Sequence, residues 1–148
     1  MTMNHSRHVI REALIAALAA GNTAAGARVY DHPSDVRTAW PALTVEDVAE
    51  RQEATTLPGG PARTIIRSYE IEISAELQQV AGYARARDQL LADVERIAAS
   101  AVLPGARSIA PTHYMSDLSS AGERPIMIGR QRFEIQYATT QGNPASTI

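Results

Sequence analysis

The stretch YEIEISAEL, Tyr69 to Leu77, places Glu70, Glu72 and Glu76 at alternate positions. In an extended strand they share one face, with Glu70 and Glu72 about 7 Å apart between Cα atoms. A glycosidase could set its two carboxylates at such a distance. That chemistry also requires a cleft, and surroundings that drive the two carboxyl pKa values apart. Here the glutamates share their face with Ser68 and Ser74, and no aromatic platform for a sugar is in sight. The pattern therefore reads as a surface, turned to solvent or to a neighbouring subunit.

The other chemistry-bearing residues are scattered. His5, His8 and Glu12 fall one helical turn apart, but there is no H-E-x-x-H, and the trio sits on a fraying N-terminus, so no metal is expected. His32 and His113 are isolated. No G-x-S-x-G, Walker loop or G-x-G-x-x-G occurs, so neither an activated serine nor a nucleotide cofactor is expected. Pro58-Gly59-Gly60-Pro61 is no phosphate cradle, because its prolines lack the amide donors that an anion needs. Arg130 and Arg132 share a strand face with Glu134 and read as charged surface, not as a nucleic-acid reader. Trp40, directly before Pro41, reads first as a core or edge plug and second as an interface anchor. The expectation is a protein that is not an enzyme.

Composition narrows the setting. A chain of 148 residues is long enough for one domain with a single core, expected over residues 1–148. With 45% hydrophobic and 20% charged residues it has the make-up of a folded domain, not a disordered one. A formal charge of −2 gives no field that would recruit nucleic acid. Cysteine is absent, which excludes thiol catalysis, disulfides and cysteine-bound zinc. ALIAALAAG, Ala13 to Gly21, imitates a secretion signal, but the run is short, alanine-rich and abutted by Glu12, so it reads as a helix. Nothing approaches the roughly 20 apolar residues of a membrane span.

The elements that must position these residues follow from periodicity. Ile10, Ala13, Leu14, Ala17 and Leu18 form a stripe on a first helix, about Ser6 to Ala20, with Asn4 or Ser6 as cap and Gly21 as stop. Ile15 and Ala19 lie off the stripe, which marks the back of this helix, with Ile15, as a candidate subunit interface. Strands are expected at Ala27–Tyr30, from Pro41 onward, and at Arg63–Leu77, with a mobile loop near 50–62. A second helix spans Gly82–Ala101, its apolar face made by Leu90, Leu91, Val94, Ile97, Ala98 and Ala101. Two strands close the chain, around Arg107–Met115 and at Pro125–Thr140. Ile126 and Ile128 have the opposite parity to Phe133, Ile135 and Tyr137, which predicts a bulge near Gly129. The tail at 141–148 reads as loose. The order α-β-β-β-α-β-β predicts an α+β fold: a mainly antiparallel sheet of about five strands with two helices on one face.

Several segments, taken in order, carry a resemblance: NTAAGARVYDHP after the first helix, the strand WPALTVE, YEIEISAEL, the helix ARARDQLLADVERIA, and HYMSDLSSAGERPIMIGRQRFEIQYAT at the close. In order and spacing the chain resembles the tail terminator proteins of long-tailed bacteriophages, the minor tail protein U-like family. The resemblance covers nearly the whole chain. It implies a structural protein that caps the finished tail tube as a homo-hexameric ring, stops tube growth and presents a surface for joining the head. The implied partners are further copies of itself, the tail tube protein and the head–tail connector protein. DNA is implied only as passing cargo, without a cofactor or a membrane. The implied location is the virion tail, with assembly in the host cytoplasm; a monomer in dilute solution is compatible with this, because assembly can need the tube end as template. The loop before the last strand departs from the family in acidity, keeping Asp117 and Glu123 alone. If the ring surrounds a DNA channel, Glu70, Glu72 and Glu76 would line or border it, where negative charge lets a duplex slide; a plain solvated face is the competing account. The loops at 31–39 and 58–61 would become ordered on ring assembly. A head-closure or tail-completion subunit is an alternative within assembly, and a small hydrolase or ligand-binding domain is an alternative outside it.

Overall fold

A computed structural model describes residues 4–31, 39–55, 63–78, 81–119 and 125–148. Its elements are α1 (Ser6–Ala20), β1 (Val29–Tyr30), β2 (Ala42–Thr55), β3 (Thr64–Gln78), α2 (Tyr83–Ser100), β4 (Ser108–Ser119), β5 (Ile126–Thr140) and β6 (Asn143–Thr147). The strands form one open sheet in the order β1-β2-β3-β5-β4, and β6 pairs with β5. β1 runs parallel to β2, and the other pairings are antiparallel. The expected α+β architecture is found, with six strands.

Alternation builds the layer. Tyr69, Ile71, Ile73, Ala75 and Leu77 of β3 are buried, alongside Leu43 and Val45 of β2 and Phe133, Ile135 and Tyr137 of β5. Ile10, Leu14 and Leu18 of α1 join the same core as Leu90, Leu91, Val94 and Ile97 of α2. Each large aliphatic side chain removed from water contributes about 2 kcal/mol, more than the helix-propensity spread of about 0.7 kcal/mol among ordinary residues, so these stripes hold the helices in place. α1 is capped by His5, not by Asn4 or Ser6: the His5 Nδ1 accepts from the Arg7 N–H at 3.1 Å. Gly21 ends α1, and a side chain there would run into Ile97 of α2.

Three further local expectations are corrected. β5 pairs with β3 from Ile126 to Thr140 without a register break, so there is no bulge at Gly129. Ile126 and Ile128 simply face away from the helices, and Gly129 faces α2. A Cβ on Gly129 would stand 2.9 Å from Arg87 Cγ and Cδ and 3.0 Å from Leu91 Cδ1, so the glycine sits where α2 presses on the strand. The bulges fall instead at Val48 in β2 and at Thr112 in β4. The loop expected near 50–62 is strand as far as Thr55, while 56–62 lies outside the described residues. The tail is β6: Gln141-Gly142 turns the chain, and the Ile148 N–H donates to the Ala138 carbonyl at 3.0 Å.

Candidate functional site

The alternation of β3 puts Glu70, Glu72 and Glu76 on the face away from the helices, as expected, but that face is not a bare row of acids. Register sets Arg132 beside Glu72 and Arg130 beside Ser74. Glu72 accepts from Arg130 at 3.2 Å and from Arg132 at 3.0 Å, and Arg132 also reaches Glu70 at 3.2 Å. Arg130 lies 3.8 Å from Asp117 of β4. Glu72 and Ser74 are buried on this polar side of the sheet, with the half-buried Arg130 and Arg132 on the adjacent strand. Glu76 accepts from the Thr44 hydroxyl at 3.1 Å. Glu70 and Glu72 are therefore brought together with Arg130 and Arg132 as ion pairs, while Glu76 is bonded to Thr44.

A second polar cluster, under the start of α1, was missed. The bulge at Val48 returns Glu50 to the face that Asp47 already occupies, so two carboxylates look toward the helix. Asp47 accepts from Arg11 at 2.9 and 3.0 Å and from the Tyr69 hydroxyl. Glu50 accepts from Arg7 at 2.7 Å, Gln52 at 2.8 Å, Arg67 at 3.2 Å and the Tyr137 hydroxyl. Burial pushes the Glu50 carboxyl up. The bonds from Tyr137 and Gln52, then the charge of Arg7 and the bond from Arg67, outweigh it and hold the group below the usual carboxylate range. Burial and the bond to Asp47 push the Tyr69 hydroxyl well above its ordinary value; burial and Glu50 do the same for Tyr137. A carboxylate has about four acceptor positions, and those of Glu50 are taken by its own chain, so it is a clamp on α1 and not a free base. The sequence signal was the break in parity between Asp47 and Glu50, which no glycine or proline marks.

The remaining candidates are separate. Trp40, joined to Pro41 by a cis peptide bond, is half-buried and lines an open, mostly apolar cleft of about 200 Å³ with Leu77, Gln78, Gly82 and Tyr83. Ile15 is half-buried against the core. His8 lies 3.2 Å from Arg11. Among the described residues no three His, Asp or Glu side chains converge as metal ligands would, and no helix is long and apolar enough to cross a membrane. β4 stands apart. Among the described residues it is bonded to β5 alone along its length, and from Ser108 to Leu118 every residue except Ile109 is exposed.

No family model matches the sequence. No curated protein matches it either. Among solved structures, the fold is similar to a chain of a "Virion of native gene transfer agent (GTA) particle", at 17% identity and a TM-score of 0.48, covering 89% of this chain and 95% of that one.

Proposed function

We propose that this chain is a structural subunit of a phage-like tail, which caps the completed tube as a ring of copies and offers the surface that joins the head. The observation that carries the reading is β4, a 12-residue strand at the edge of the sheet among the described residues, exposed at every position from Ser108 to Leu118 except Ile109. Long uncovered edges pair with other chains, and a protein that keeps one unprotected works by being covered. The element order of the tail terminator resemblance supports the same reading, as does the engagement of Asp47, Glu50, Glu70 and Glu72 in ion pairs within the chain. On the polar face Glu46, Glu53, Glu70, Glu72, Glu76 and Glu134 outnumber Arg51, Arg130 and Arg132. This face is the one proposed to meet passing DNA, where the excess of carboxylate repels phosphate. Trp40 and Ile15 are proposed contacts to the tube or to neighbouring copies.

The test is tube polymerisation with the tail tube protein of the same particle. Added protein is expected to halt elongation and to appear as six-fold rings at tube ends by negative-stain imaging. Tubes that grow on past it, with no density at their ends, would remove the proposal.

A further inference from the structure

We propose that copies of this chain join head to tail through two sheet edges, the His113–Ser119 half of β4 meeting the Ala49–Thr55 half of β2 in the next copy. This rests on the ring reading above and names the edges that would close the ring.

Among the described residues both edges are open, for identifiable reasons. Pro111 and the bulge at Thr112 interrupt the first half of β4, but beyond them it carries no proline and no cation, the usual guards of an edge. It exposes apolar side chains instead: Tyr114 is 42% exposed, Met115 40% and Leu118 52%. On the other side of the sheet, β1 covers β2 only at Leu43 and Thr44. Past the bulge at Val48, β2 pairs with β3 alone among the described residues.

Topology makes the two edges compatible. β2, β3, β5 and β4 alternate in direction, so a second copy placed beside the first without turning over meets β4 with an antiparallel β2. Its β1 denies β4 the beginning of β2, and the joint must slide toward Thr55. Sides must also match. His113, Met115 and Asp117 share the polar face, as do Ala49, Arg51, Glu53 and Thr55. One register opposes Asp117 to Arg51 of the next copy, and with it Met115 to Glu53, His113 to Thr55, and Tyr114 to the small Ala54 on the helix side. Arg51 forms no ion pair with any described residue, and the Asp117 side chain is 60% exposed. A two-residue slip one way sets Asp117 against Glu53, a like-charge pair that destabilises a sheet. A slip the other way leaves it against Ala49. Charge and side therefore select a single register.

The chain has no cysteine, so cross-linking is clean. Asp117→Cys with Arg51→Cys, treated at about 1 mM protein with a short bis-maleimide, a concentration at which even a weak edge contact is populated, is expected to give a ladder of dimers, trimers and higher species. Either single variant should stay uncoupled. Asp117→Arg or Arg51→Asp alone is expected to weaken association at least about tenfold, and the two together to restore it. All these positions are exposed, so circular dichroism should be unchanged. Self-coupling of the Asp117→Cys variant alone, which marks a two-fold contact, overturns the proposal. So does the absence of a ladder, or coupling only to another protein. Ring variants that ladder yet fail to cap tubes would sink the tail reading and leave the edges standing. Tubes capped normally by Asp117→Arg would do the reverse.

Discussion

Glu50 draws its donors from α1, β2, β3 and β5, so one carboxylate ties the first helix to the far side of the sheet. A folded-state pKa below the ordinary value means that the unfolded chain holds the proton more tightly. The stabilisation is complete above the unfolded value and is lost as pH falls through the folded one. Glu50→Gln is expected to cost about 2 kcal/mol near neutral pH, the scale of hydrogen bonds to a charged group. In urea titrations the gap between variant and parent should close as pH drops through and below the carboxylate range. A gap that stays constant with pH would mean that charge plays no part in the clamp. Tyr69 and Tyr137 act at the other extreme. Their raised pKa values favour the folded chain at and below the usual tyrosine range, a contribution lost as pH rises through the folded values.

At the scale of elements, the seat of α2 on β5 depends on an absent side chain. Gly129→Val is expected to destabilise by about 2 kcal/mol, the usual cost of overpacking, because the new branch meets Arg87 and Leu91. Arg87→Ala should recover part of that loss in a double-mutant cycle, since the stem of Arg87 is the closer obstacle. Purely additive effects would show that helix and strand do not meet there. The sequence displayed α1, α2 and β3 because each buries one face, and burial writes a period into the residues: Ile10, Leu14 and Leu18 on one side, Tyr69 to Leu77 on alternate positions. It hid the second half of β2, where Arg51 to Ala54 are exposed on both faces and no alternation is required. It hid β6, which is held by backbone bonds that carry no side-chain signature. The apolar parity of β5 pointed to a bulge because Ile126 and Ile128 are half-buried on the polar side, where a strand need not be polar. The candidate site was half legible. The glutamates announced their shared face, but their arginine partners lie about sixty residues away, a pairing that only sheet register supplies.

For the whole molecule, hydrogen exchange reads the open edge directly. In the dilute chain, alternate amides from His113 to Ser119 point away from β5 and are expected to exchange about as fast as those of an unstructured peptide. Their neighbours, bonded to β5, should be slow. In concentrated or tube-bound protein the fast set should become protected, together with alternate amides from Ala49 to Thr55. Protection of one edge without the other would point to a different joint.

The strands also give the molecule two unlike ends. At one end the chain leaves Thr55 and returns at Thr64, beside the Gln141-Gly142 turn. At the other lie the Trp40 cleft, the start of α2 and the close of β4. Because copies added side by side keep the same heading, every subunit would show its turns on one rim and its tryptophan on the other. A closed circlet of this kind tells top from bottom without any extra component, and it could grip unlike objects above and below.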